Sequence, residues 1–190
     1  ADIQDGDILA NLPWNAHAYL WFDHHISNKP DQDVPGAFDI APSAAGVIYT
    51  YYKAQNLLDS RFDELVAQTD MIDSADLTRE QVKAPENYPY LILSMTIKND
   101  DFQDSLYWKR LVDMLGKTDI ESILKDPEVD SRCRDVIEEN KAFKNYLETY
   151  TSMVGSISVT DFRSLEKVPS GNRFLTYSLF SDAIASVKIR

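Results

Sequence analysis

Residues 18–25 read AYLWFDHH, five largely apolar residues that run into an aspartate and two adjacent histidines. A continuous apolar run of this length suits a strand buried on both faces, the kind found in parallel sheets flanked by helices; period alone does not distinguish it from a buried helical segment. Residues 7–13, DILANLP, make a second such run, and a polar turn over Trp14–His17 separates the two. If both runs are parallel strands, Asp23, His24 and His25 fall at a carboxyl end of the sheet, where open α/β sheets hold their ligands. Successive strand residues point to opposite faces, but a triplet that straddles the strand end can turn both rings into one site. Imidazole suits such a place because its neutral ring coordinates divalent metals and its charged ring donates to phosphate oxygens near neutral pH. Two half-exposed loop histidines are the plain alternative, and the commoner one for such a pair taken alone.

The segments further along the chain decide between these. Residues 26–41 are rich in Asp, Asn, Pro and Gly and read as a loop. PSAAGVIYTYYKAQN then has helical spacing, with Ser43 as its N-cap. DSRFDELVAQTDMIDSADLT follows as a second helix with Phe62, Leu65, Val66 and Ile72 on one side. Strand, helix and strand signals in alternation predict an α/β fold with a parallel sheet. Helical spacing continues between Tyr88 and Lys117, DIESILKDPEV gives a short helix ended by Pro127, and the longest amphipathic run spans Val129–Val154. After Gly155, SISVTDFR and AIASVKIR alternate like strands around a short helix in GNRFLTYSLF. The expected organisation is a first domain over 1–128, a linker helix over 129–154 and the start of a second α/β domain over 155–190. An alternating strand with nothing after it leaves backbone groups to be paired, so a fragment cut within that second domain is the expectation.

Composition narrows the function. The formal charge is −12, from 31 acidic and 19 basic residues spread along the chain, which repels the phosphate backbone of long nucleic acid but suits divalent cations wherever carboxylates converge. One cysteine, Cys133, cannot form an internal disulfide and points to a reducing, cytoplasmic setting. No apolar run approaches the roughly 18 residues of a membrane span.

WFDHHISN resembles the signature triplet of the DHH phosphoesterase superfamily, with flanks similar to its exopolyphosphatase-related branch. DILANLP is similar to the family's preceding strand, DIAPSAAGVIYTYY to the helix after the triplet and TDMIDSADLT to its later acidic motif. GNRFLTYSLFSDAIASVKIR resembles the start of the associated C-terminal substrate-binding domain. The resemblance implies two divalent metals in the intact protein, usually manganese, with magnesium or cobalt as alternatives. It makes His24 a metal ligand, turns His25 toward the substrate phosphate and gives Asp23 the task of orienting the pair by a hydrogen bond. Asp73 matches the later acid, and Asp70, at i−3 on the same helical face, stands in reserve. Asn11 occupies the position of a metal-binding aspartate, and Ser43 and Arg173, with Lys188 beside it in the partial domain, are expected near substrate. Three departures bear on this: the opening Asp-x-Asp element would precede residue 1, Asn11 is an amide where a bridging carboxylate is usual, and the C-terminal glycine-rich motif is absent. The expected function is metal-dependent hydrolysis of a short oligonucleotide, nucleotide or polyphosphate. The alternatives are a phosphate- or nucleotide-binding regulator of the same fold that has lost the chemistry, and an acidic interaction module built on the long helix. A homodimer is compatible with each.

Overall fold

Trp21 and Phe22 are adjacent in sequence, 1% and 0% exposed, and on opposite faces of one strand, so the apolar run is indeed buried on both sides. The computed structural model describes residues 2–98, 104–167, 171–172 and 174–189. Its backbone contacts divide the chain into two units, Ala1–Leu77 and Thr78–Arg190.

In the first unit, β1 (Asp7–Ala10), β2 (Ala18–Asp23) and β3 (Gly36–Phe38) form a parallel sheet in the order β1-β2-β3. Leu9 lies opposite Trp21 and Ala10 opposite Phe22, while Trp21 pairs with Gly36 and Asp23 with Phe38. Phe22 packs on α1 (Ala44–Ala54), its ring 5.1 Å from that of Tyr51 and 5.8 Å from that of Tyr52. Trp21 stacks on Phe38 on the other side and donates its indole N–H to the Leu12 carbonyl. Removing each of these two aromatics from water is worth about 2–3 kcal/mol, which holds β2 at the centre of the sheet.

The segment over 26–41, expected as loop, contains a 3-10 turn at Ile26–Asn28 and strand β3. Gly36 explains why the strand signal is weak. Its φ is +120°, and a Cβ there would lie 1.9 Å from the Trp21 carbonyl oxygen, so only glycine lets β3 approach β2. α1 begins as expected, with the Ser43 hydroxyl accepting from the Gly46 N–H. α2 (Asp63–Asp73) follows a 3-10 turn at Ser60–Phe62 and carries Asp63 and Glu64 in its first turn, where the helix dipole favours acids.

The second unit has a helical layer of α3 (Arg79–Lys83), α4 (Pro89–Met95), α5 (Ser105–Leu115), α6 (Ile120–Leu124) and α7 (Pro127–Tyr150). Ile92, Leu93, Tyr107, Leu111, Ile123, Val129, Cys133 and Val136 share one apolar core. The C-terminal half of α7 packs on a second sheet through buried Phe143 and Leu147. That sheet comprises β4 (Thr151–Val154), β5 (Ile157–Asp161) and β6 (Ala185–Ile189), with α8 (Leu175–Leu179) between the last two strands. β4 and β5 are antiparallel, β5 and β6 parallel.

α7 differs at both ends from the run read in the sequence. Pro127 opens α7 rather than ending the short helix, because Asp126 caps it by accepting from the Glu128 and Val129 N–H groups and proline fits a helix's first turn. α7 stops at Tyr150, and Thr151–Val154 pairs with Ile157–Thr160 across a turn in which Gly155 takes φ +59°. The apolar residues of β4 continue the helical stripe in sequence, so period alone misses the change. Among the described residues no helix is long and apolar enough to cross a membrane.

Candidate functional site

The carboxyl edge of the first sheet is organised by a carboxylate with no exposure at all. Asp23 ends β2, and its Oδ1 accepts from the backbone N–H of His24 at 2.7 Å, the N–H of His25 at 2.7 Å and the His25 Nδ1 at 2.9 Å. Its Oδ2 accepts from the Asn28 amide at 2.9 Å. Burial pushes its pKa up, but the bonds from the His25 N–H, the Asn28 amide, the His25 ring and the His24 N–H outweigh burial and hold the carboxyl below its usual value. Asp23 is therefore an anion that folds the chain back on itself at the point where it leaves the sheet.

That turn brings the two rings together. Their centroids lie 4.1 Å apart with an interplanar angle of 65°. Their surroundings differ. His25 has its side chain 49% exposed and its Nδ1 engaged by Asp23, which leaves Nε2 as the nitrogen open to solvent. His24 is only 12% exposed, and its Nδ1 lies 2.8 Å from the carbonyl oxygen of Ala41. A carbonyl only accepts, so Nδ1 carries a hydrogen, and in the neutral ring Nε2 then carries the lone pair.

Nε2 of His24 is buried and has no hydrogen-bond partner. Asp73 Oδ2, at the end of α2, stands 3.4 Å from it. With the ring neutral, its buried Nε2 lone pair and the carboxylate oxygen are both acceptors, so nothing in the pair itself satisfies either. A shared dication does. Ligands bound at roughly 2.0–2.2 Å on one metal sit about 3–3.5 Å apart, the spacing seen here. A carbonyl that fixes the tautomer from behind the ring is the usual outer support of a metal-binding histidine. The donors present thus fit a divalent metal, as one pair rather than a full set. Among the described residues no group of three or more His, Cys, Asp or Glu side chains converges to hold an ion.

The other expected residues separate into two groups. Asn11 follows β1 at the same edge, donating its N–H to the Phe22 carbonyl at 3.0 Å. Its φ is +60°, a left-handed conformation that asparagine adopts more readily than most residues, and its side chain is exposed. Asp70 lies one turn before Asp73, and its Oδ1 accepts from the Ser43 hydroxyl at 2.5 Å. Ser43 is buried, with its hydroxyl bonded both to Asp70 and to the Gly46 N–H, so the fold already uses both of its hydrogen-bonding directions. Arg173 lies outside the described residues. Lys188, in the second unit, sits over the Phe143 ring at 5.4 Å.

Two contributors escaped the sequence reading. The Ala41 carbonyl that fixes the His24 tautomer carries no side-chain signal at all. Asn28 could have been noticed, since it lies five residues beyond Asp23 in a stretch whose turn residues have to satisfy a buried acid. Asp23 orients His25 through the ring but reaches His24 only through its backbone, so the two histidines have different supports.

No protein-family model matches the chain, and no curated protein does. A solved structure does match: the pGpG-specific phosphodiesterase PggH from Vibrio cholerae superposes with a TM-score of 0.84 at 26% identity, over 99% of this chain and 64% of that one. The chain thus spans a little under two thirds of that protein's length.

Proposed function

We propose, from the premise that the chain has the fold of the DHH phosphoesterase superfamily with its signature triplet at the sheet edge, that the intact protein is a metal-dependent hydrolase of short oligonucleotides. The phosphodiesterase to which the chain is similar supports this reading, and the arrangement of His24 carries it: Nδ1 committed to the Ala41 carbonyl, Nε2 buried, unbonded and 3.4 Å from Asp73. Manganese is the expected ion, with magnesium or cobalt as substitutes and two ions in the complete site.

His24 and Asp73 would hold the metal, which when bound acidifies water and offsets negative charge on the phosphoryl oxygens. The chain's own groups do the rest. The buried Asp23 anion fixes the His25 ring by its Nδ1 and so aims Nε2 outward, where a protonated ring would donate to a phosphoryl oxygen and a neutral one would accept a proton from the attacking water. The same anion holds both histidine backbones in the turn, so the rings keep their 4.1 Å spacing without cost at the moment of reaction. Asp70, tied to Ser43, braces the α2 turn that ends in Asp73.

The test is hydrolysis of di- and trinucleotides by the protein in manganese, with polyphosphate as competitor and His24→Ala and Asp73→Asn as variants. Each variant is expected to lose at least about tenfold in metal affinity and in rate. Unchanged turnover in His24→Ala would remove the imidazole from the chemistry. A second reading, a nucleotide-binding regulator of the same fold, is favoured by Asn11, an amide where a bridging carboxylate is usual. Asn11→Asp separates the two, because it raises the rate of a hydrolase and leaves a regulator inert while ligand still binds.

A further inference from the structure

A cavity of about 550 Å³ opens in the first unit between β3, the segment after it and α1. Its size is that of a small-molecule site. Tyr51 brings an aromatic side chain to the wall, Val47 and Ala54 add apolar surface, Thr50 and Gln55 add polar groups, and Asp39 and Asp70 supply carboxylates, while Phe38 lines it with its ring turned to Trp21 on the other face of the sheet. Ala41 also lines it, the residue whose carbonyl holds His24. Asp70 lies one turn before Asp73 on α2. The cavity therefore shares a wall with the His24–Asp73 pair.

The lining decides what enters. It has no Lys or Arg, and its two carboxylates repel a phosphate, so the anionic part of any substrate stays outside. What fits is a flat, uncharged group with apolar faces, with hydrogen-bond donors for the two carboxylates, which only accept, and room for an acceptor that the Thr50 hydroxyl or the Gln55 amide can meet. Nucleobases stack on aromatic side chains through their faces. Among them guanine presents two neighbouring donors, N1–H and N2–H, that one carboxylate can accept together. Adenine offers a donor beside an acceptor, and the acceptor would face an anion.

The wall is also fixed in place. Gly46 lets Asp70 come against α1, since a Cβ there would lie 2.8 Å from Oδ1 and 3.3 Å from Oδ2, and the Ser43 hydroxyl pins Oδ1. Asp39, the other lining carboxylate, is exposed, and its backbone N–H is bonded to the Asp23 carbonyl.

We propose that this cavity is the base subsite and takes a guanine ring of the substrate, with Asp39 and Asp70 as edge acceptors and the adjoining phosphate left at the histidines. The proposal rests on the phosphoesterase reading above.

Calorimetric titration of the protein with GMP, AMP and ribose 5-phosphate in manganese buffer tests it. GMP is expected to bind at least tenfold more tightly than either of the others. Ala54→Phe, which fills the cavity from the exposed end of α1, should bring GMP down to the level of ribose 5-phosphate; retained ribose 5-phosphate binding and an unchanged circular dichroism spectrum show that the variant is folded. Asp39→Asn should erase the preference for GMP over AMP. Equal binding of GMP and ribose 5-phosphate, no binding of GMP at millimolar concentration, or a GMP affinity untouched by Ala54→Phe would each overturn the proposal. GMP and AMP binding alike would overturn the guanine assignment. None of these outcomes bears on manganese-dependent hydrolysis and its loss in His24→Ala, so the two readings fail separately.

Discussion

At the scale of single residues, the site depends on one buried anion more than on either histidine. Replacing Asp23 by alanine removes the acceptor for two backbone N–H groups, an imidazole and an amide at a position with no exposure. Each buried donor left unpaired costs roughly 1–3 kcal/mol, and since some can turn to water the expected loss is on the order of 3 kcal/mol. Asp23→Asn keeps one oxygen for the backbone pair and should cost nearer 1 kcal/mol. Urea unfolding followed by tryptophan fluorescence in a Trp108→Phe background, which leaves the signal to the first unit, measures both; a change below about 0.5 kcal/mol in Asp23→Ala would mean that the turn is held by something else. This residue was legible in the sequence as a member of a triplet, and the family resemblance gave it the task of orienting the histidines. What the letters did not carry is the division of labour. The ring of His24 answers to a main-chain carbonyl 17 residues away, and any residue type at position 41 supplies a carbonyl.

At the scale of elements, the parallel sheet and its flanking helices followed from the apolar runs and from the Ser43 cap, because burial on both faces and an unsatisfied helix start leave strong marks in residue type. β3 left none. It is three residues long, begins at Gly36 and sits among prolines and acids, so its strand character comes from docking on β2 rather than from its own propensities. The transition from α7 to β4 was hidden for a related reason, since β4 prolongs an apolar stripe whose period only the Gly155 turn breaks. Gly36 is therefore the element-level weak point. A side chain there is strained at φ +120° and also meets the Trp21 backbone at 1.9 Å, an obstacle that cannot rotate away. Adding the costs of strain and of overpacking, Gly36→Ala should lose on the order of 3 kcal/mol or more. Because the β3 register leads directly into Asp39 and Ala41, the variant should also weaken the metal binding proposed for His24 and Asp73. Gly6→Ala is the control, having positive φ but open space around it, and should cost only about 1 kcal/mol. Equal losses in the two would show that backbone strain alone, rather than the contact with β2, sets the requirement for glycine at position 36.

At the scale of the whole molecule, the balance of 31 acidic against 19 basic residues sets both what the protein meets and where it fails. On the proposed function this balance excludes long nucleic acid, whose charge is too dense to lie along such a surface, and suits a short oligonucleotide, which would bring few phosphates and need only one local cation to place them. The same carboxylates govern acid stability. Asp23, Asp63, Asp104 and Asp119 are all held below their ordinary value, and Asp161 is lowered to about 2, mainly by the Arg163 side chain and backbone. A carboxyl with a lower pKa when folded binds fewer protons in the native than in the unfolded chain. Its contribution is complete above the unfolded value of 3.8 and disappears as the pH falls through the folded value. Stability to urea should therefore change little between pH 7 and 5 and fall between about pH 4 and 2. The exposed pairs, Asp161–Arg163 and Asp63–Lys53, contribute little each because water screens them, so the slope should come chiefly from Asp23, which has the most donors to lose and no exposure. Asp23→Asn then flattens the acid limb, and Asp161→Asn leaves it nearly unchanged. The reverse order would place the acid lability in the second sheet instead of at the edge that carries the histidines. With two units in the chain the transition can be stepwise, and in a Trp108→Phe background tryptophan fluorescence reports the first unit while helical circular dichroism, dominated by α3–α7, reports the second.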